Sequence, residues 1–381
     1  MSDERDPFLK AREAGGYAGD FGGETIPVLV NYRDVRKAAS DWRGLSNDLP
    51  GRIQIPAEDD IRSLRQLPIE TDPPRHTGYK DLVQDYFRRP RTDPTVRAGI
   101  DAVIAEVLSG LSDGAEIDGL ADIALPIQSR ALAVLLGLPM DEAESWISWG
   151  LHAFKTRDGN DQVAADRLLQ MIERHTDRAM SQGGTDFFGY LAAARLDGRP
   201  LGRDEIIGFA HVTFAGGRDT LINCIGASLA HFAQVPADLE KLRYDPRAIP
   251  IAVEEVVRHT SPLSHIGRIC TQAARYAGVE RHKGERVALC WAAANLDPDR
   301  FEAAESLRID RQPNPHVAFG SGPHSCLGAT HAREVLRVLI GKLAGEFHKI
   351  TPIEVIEGSR SIGGPRYHYG FERLRLSFHR E

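Results

Sequence analysis

The sequence predicts a mainly α chain with a minor β portion, on three observations. Apolar residues recur at helical spacing over most of the chain beyond residue 91. Strand-like pieces are few, and most cluster late: RICTQAARYAGV, ERVALCWAAA and the terminal YGFERLRLSF. Hydrophobic residues make up 42% of the 381 positions and charged residues 27%, the balance of a globular chain with a sizeable core.

Taken in order, the elements follow from local signals. TIPVLVNYRDVRKAASD reads as a short strand and then a helix. RTDPTVRAGIDAVIAEVLSGL opens the helical part. ALPIQSRALAVLLGLP is a buried helix stopped by Gly137 and Pro139, and DQVAADRLLQMIERHTDRAM is an amphipathic one. The longest helix is expected from Asp204 to Pro236, about 30 residues or roughly 45 Å at about 1.5 Å per residue. Such a length crosses a whole domain, so its midpoint should be buried. No repeat or linker marks a boundary, and a single domain over residues 1–381 is expected, with 1–24 as a partly ordered leading segment.

Charge and ends exclude several classes. A net charge of -7 argues against a nucleic-acid binder. MSDERDPFLKAREAGGY is charged where a secretory signal is apolar, and no window holds about 18 uninterrupted apolar residues. A cytoplasmic location without a membrane anchor is expected. Cys224, Cys270, Cys290 and Cys326 show no pairing motif, and three of them read as small buried hydrophobes.

Cys326 differs. Residues 319–328 read FGSGPHSCLG, and the helical run ATHAREVLRVLIGKLAGEF follows at once. A cysteine in a glycine-rich loop before a helix N-terminus is favoured as thiolate by unsatisfied N–H groups and the helix dipole. A thiolate so held is a soft iron ligand. A zinc site from His324, Cys326 and His331 lacks a fourth ligand and matches no common zinc spacing.

FGSGPHSCLG resembles the haem-binding loop of the cytochrome P450 family, Phe-Gly-x-Gly-x-His-x-Cys-x-Gly, at every defined position. The resemblance implies the P450 fold, a long central helix over haem b, and Cys326 as the axial thiolate and iron ligand. It implies that His324 bonds a haem propionate and that Phe319 packs near the sulfur. EEVVRH resembles the family's ExxR motif, so Glu255 and Arg258 are expected to form a buried structural ion pair, with Arg311 as a further partner. AAANLDPDRF resembles the segment leading to the haem loop, with Leu296 where arginine is commoner. HTGYK resembles the His-x-x-x-Arg pattern beside one haem edge: His76 matches, and Lys80 stands at the arginine position, offering one charge but no bidentate fork. Arg268 matches a propionate-binding arginine, and His316 reads as structural.

The resemblance also explains a flaw in the longest helix. AGGRDT places Gly216 and Gly217 side by side, each costing about 1 kcal/mol against alanine. It resembles the family's oxygen-binding segment, where glycine leaves room for dioxygen and substrate. Asp219 and Thr220 are then the acid and alcohol of proton delivery, and Asn223 helps to hold a local helix distortion. Thr220 is also placed to back-bond to a carbonyl. Arg218 is expected to point away from haem and pair with a carboxylate, Asp219 among the candidates.

The implied activity is insertion of one atom of O2 into a small hydrophobic substrate, terpenoid or aromatic in type. Ile53, Ile55, Val212, Phe214, Ala215, Leu263 and Ile266 are the candidate walls. With no fused reductase module, electrons come from a separate ferredoxin and its NAD(P)H-dependent reductase. Arg88, Arg89, Arg91, Arg333 and Lys80 form a candidate basic docking patch, or an ordinary solvated cluster. Two alternatives remain open: a haem-thiolate enzyme that uses peroxide or is no monooxygenase, and a non-catalytic haem sensor or electron carrier.

Overall fold

Val287 and Leu289 pack into one apolar cluster while Ala288 and Cys290 pack into another, so strand Arg286–Cys290 is buried on both faces. It is the central strand of a five-stranded sheet in the computed structural model, which describes residues 6–21, 23–55, 64–151, 162–361 and 363–380, with residues 162–164 as backbone only. The sheet order is Tyr17–Asp20, Thr25–Leu29, Arg286–Cys290, His265–Cys270 and Leu45–Ser46. Thr25–Leu29 runs parallel to the central strand, with Ala288 opposite Val28. His265–Cys270 runs antiparallel to it, with Val287 opposite Arg268.

This sheet lies in the first of two compact units, residues 1–80, 254–326 and 358–370. The unit also holds helix Tyr32–Ser40, whose Tyr32, Val35, Ala38 and Ala39 join the cluster of Val287 and Leu289. Within the leading segment 1–24, Leu9–Glu13 is helical and Tyr17–Asp20 is the edge strand, while residues 1–5 and 22 lie outside the described residues.

The frame of this unit is a buried ion triad. Glu255 and Arg258 are both inaccessible to solvent, one helical turn apart, and Arg258 closes a bidentate fork on the carboxylate at 2.7 and 2.8 Å. Arg311 donates from Nε to both carboxylate oxygens at 3.0 Å. The remaining guanidinium donors reach the carbonyls of Asn295, Ala304 and Ser306 from Arg258, and of Glu302 and Ala303 from Arg311. The triad therefore staples the chain leading to the cysteine loop onto helix Ile249–Thr260.

The second unit, residues 81–253, 327–357 and 371–381, is mostly helical. Gly119–Leu136 is the one stretch among the described residues long and apolar enough to cross a membrane, and 72% of it is buried inside the chain. It packs on helix Asp219–Gln234 at Gly226, where an added Cβ would come within 2.8 Å of Leu120 Cδ2. The expected continuous helix from Asp204 to Pro236 is two helices, Arg203–Gly217 and Asp219–Gln234, broken at Arg218. The break has a physical account. Gly216 and Gly217 weaken the ladder, and side chains then take the freed carbonyls: Thr220 Oγ1 donates to Gly216 O at 2.7 Å, and Gln128 Nε2 to Gly217 O at 3.3 Å. Arg218 itself is 3% exposed and donates to the carbonyls of Trp146 and Gly150, just past helix Met140–Ser148. Two main-chain carbonyls are thus among its hydrogen-bond partners. Asp219 contributes an opposing coulombic pull against the burial that lowers the arginine's pKa.

Removing one member of the triad leaves buried charge uncompensated. Glu255→Ala should cost about 3–5 kcal/mol in denaturant unfolding. Burial raises the Glu255 pKa, but Arg258, the Arg308 amide and Arg311 outweigh it and hold the carboxyl below its ordinary value. Its stabilisation is therefore full above the unfolded-state pKa of about 4.3 and lost as pH falls through the folded one. Arg218→Met should cost about 2 kcal/mol through two orphaned carbonyls. An unchanged denaturation midpoint would contradict the tie to Trp146 and Gly150.

Candidate cofactor and oxygen site

The cysteine loop is shaped by its own backbone. Gly320 and Gly322 adopt φ of +73° and +74°, a region that glycine enters without strain. An added Cβ at Gly322 would meet Ala39 O and Ser40 Cα at 2.9 Å, so the loop lies directly on helix Tyr32–Ser40. Cys326 N donates to Phe319 O at 2.8 Å and Ser325 N to Gly322 O at 3.2 Å, closing the turn. Cys326 is exposed, whereas Cys224, Cys270 and Cys290 are buried. Burial raises the Cys290 thiol to about 12 and the Cys270 thiol to about 11, which makes both inert.

Around this loop the first unit gathers basic side chains. His324 and His76 stack edge to face with ring centroids 4.2 Å apart. The His324 side chain is 3% exposed, and neither ring nitrogen has a hydrogen-bond partner. Burial, then Arg268, His76 and Lys80, push its pKa down to about 2, so the ring is a neutral imidazole. Arg268 is 2% exposed, and burial draws its guanidinium down to about 10 against the pull of Asp72. Arg268 Nη1 donates to Gly267 O at 2.8 Å, and no carboxylate among the described residues is within ion-pair distance of Arg268. Asp72 is the carboxylate that opposes this shift. It accepts from Ser46 Oγ and from Asn47 N, and its Oδ1 stops 3.9 Å short of His324. Lys80, one turn after His76, donates to Pro323 O at 2.6 Å and Ser325 Oγ at 3.0 Å. His316 bonds Glu254 at 3.1 Å and packs on Phe319, ring centroids 5.8 Å apart.

The predicted oxygen-binding segment belongs to the second unit. Phe214 and Arg218 share one face of the helix and turn inward; the Phe214 ring lies 4.9 Å from that of Trp146, edge on. Gly216 is two residues from each, about 200° around the axis, and therefore faces the other way. A Cβ there would meet no atom within 4 Å, and Ala215 and Gly216 are both exposed. Asp219, Thr220 and Asn223 are half-buried. With its proton given to Gly216 O, the Thr220 hydroxyl is left as an acceptor. Of the other candidate walls, Val212 and Ile55 are half-buried, Ile53 and Ile266 are buried, and Leu263 is 45% exposed.

These features fit an iron porphyrin with two carboxylates. An exposed thiol suits the metal, orphaned ring nitrogens and an arginine without a carboxylate partner suit the propionates, and Gly216 leaves a helix face bare. No cluster of three or more His, Cys, Asp or Glu able to hold a bare metal ion occurs among the described residues. Sequence reasoning missed Asp72 and Gln128. Asp72 accepts from Ser46 Oγ and Asn47 N, and Gln128 donates to Gly217 O; neither set of contacts leaves a motif. It also missed that His331 is buried with both ring nitrogens unbonded and its pKa lowered to about 4 by burial.

Comparison with known proteins agrees with this geometry. The family model "Cytochrome P450" matches residues 144–354. Cyclomarin C epoxidase of Salinispora arenicola is 28% identical over 364 residues, covering 92% of this chain and 90% of its own. Cytochrome P450 107B1 of Saccharopolyspora erythraea is 30% identical over 335 residues, covering 84% and 81%. A solved structure described as a carbohydrate active P450 superposes with a TM-score of 0.94 at 37% identity, over 99% of this chain and 98% of that one. With a helix content of 51% and a minor sheet, the chain has the P450 fold. It belongs to the cytochrome P450 family, and is a haem-thiolate monooxygenase whose cofactor is haem b.

Proposed function

We propose that Cys326 is the axial thiolate of this monooxygenase and that His324, His76 and Arg268 hold the haem carboxylates. The observation that carries the reading is the buried Arg268 guanidinium beside an exposed cysteine, with no carboxylate of the described residues paired to it, and a buried His324 whose ring nitrogens are unbonded. When bound, haem supplies the one-electron and O2 chemistry. The chain's own residues orient and protonate. Phe319 packs near the sulfur, Gly216 and Gly217 keep side chains out of the reaction space, and Asp219 carries protons inward from solvent. Thr220, whose own proton is engaged by Gly216 O, accepts a hydrogen bond there, and Asn223 steadies the distorted turn.

We read the substrate as a small apolar molecule, terpenoid or aromatic in type, met by Val212, Ala215, Ile55, Ile266 and Leu263. Ile53 is closed into the core and Phe214 is turned towards Trp146, so they shape the walls from behind. A second reading, a carbohydrate substrate, is favoured by the 37% identity to the structure described as carbohydrate active. Electrons come from a cytoplasmic ferredoxin and its NAD(P)H-dependent reductase, steered by Arg91 and Arg333. Arg88 and Arg89 share their charge with Asp85 and Asp93 at 3.2 and 3.1 Å, and so contribute less.

The ferrous–CO complex should absorb near about 450 nm, and Cys326→Ser should abolish that band while the chain stays folded. A variant that keeps the band would overturn the assignment. Terpenoids and aromatics titrated into the ferric protein should shift it from low to high spin with micromolar midpoints. If monosaccharides and glycosides give the shift and apolar compounds do not, the carbohydrate reading replaces the apolar one.

A further inference from the structure

Lys80 stands where the family pattern has arginine, and its contacts show a different task. One helical turn after His76, its ammonium reaches Pro323 O at 2.6 Å, Ser325 Oγ at 3.0 Å and Ser325 O at 3.3 Å. An ammonium has three N–H donors, and three oxygens of the cysteine loop are there to take them. A compact ammonium serves all three acceptors of one tight turn from a single nitrogen, whereas a guanidinium spreads its donors over a flat fork. The opposite side of the loop is closed by helix Tyr32–Ser40, which an added Cβ at Gly322 would strike. The loop is thus gripped from two sides, and the Lys80 grip ends on the residue before the sulfur.

Arg268 and His324 meanwhile keep donors for carboxylates without help from Lys80. We propose that Lys80 is a positioning residue for the Cys326 sulfur, clamping residues 323–325, and not a propionate ligand. The inference rests on Cys326 being the iron's thiolate. Two effects follow from the clamp. The loop holds the sulfur in one orientation, which resists its protonation or displacement. The ammonium also places a positive charge beside the thiolate, which favours the anion and raises the iron's reduction potential.

The test compares haem-loaded wild type with Lys80→Met and Lys80→Arg by three readouts. These are the lifetime of the thiolate-type CO band, the rate of haem transfer to apomyoglobin, and the ferric/ferrous potential. Lys80→Met should transfer haem at the wild-type rate, lose the band to a blue-shifted form about ten-fold faster, and have a lower potential. Lys80→Arg, which keeps the charge without the convergence, should lose the band faster at nearly the wild-type potential. The reverse pattern, faster haem loss in Lys80→Met with an unchanged band lifetime, makes Lys80 a carboxylate ligand and overturns the clamp. Unchanged band lifetimes in both variants overturn it as well. Should Lys80→Met fail to fold, Lys80→Arg alone decides by its band lifetime. Absence of the band in the wild type would instead remove the thiolate assignment beneath the inference.

Discussion

A guanidinium and two imidazoles sit out of water beside a cysteine loop, and among the described residues no carboxylate pairs with the guanidinium. Asp72, bonded by Ser46 and Asn47, pulls on Arg268 from a distance, and no carboxylate of the described residues closes an ion pair with that guanidinium. Buried charge of this kind is costly unless an anion meets it. The chain accepts that cost because the frame around it is stiff. The Glu255–Arg258–Arg311 triad fixes the path into the loop, and strand His265–Cys270, buried along its whole length, fixes Arg268. A porphyrin with two carboxylates and an iron atom would suit both the buried guanidinium and the exposed sulfur.

The second unit solves a different problem. A helix that serves oxygen chemistry would need bare space on one face and polar groups on a defined turn. Two glycines give the space, at the expense of the ladder. Gln128, Thr220 and Arg218 then repair the break from outside the ladder, by capping carbonyls and by reaching the end of helix Met140–Ser148. The distortion is therefore held by specific bonds, and need not depend on glycine flexibility.

Much of this was legible in the sequence because it is written in local spacing. The loop motif gave Cys326, His324 and Phe319; an i, i+3 pair and a later arginine gave the triad; the glycine pair gave the bare helix face. What escaped was interaction with backbone. Arg218 bonds the carbonyls of Trp146 and Gly150, and a carbonyl carries no residue identity in the sequence. The same holds for Lys80, whose acceptors are mostly main chain. The helix break was hidden because apolar periodicity continues across it: Phe214 and Leu221 are both buried, one on each side. Short strands such as Leu45–Ser46 and Arg195–Leu196 were missed because two residues show no period.

If an unbalanced basic cradle is what holds the cofactor, then the cofactor's own carboxylates should supply much of its affinity. Equilibrium binding of haem and of its dimethyl ester to the haem-free protein measures this directly. The account predicts that the ester binds roughly a hundred-fold or more weakly, two charge-assisted contacts having been removed. Equal affinity for the two would contradict it, and would leave the buried ring nitrogens of His324 without a partner.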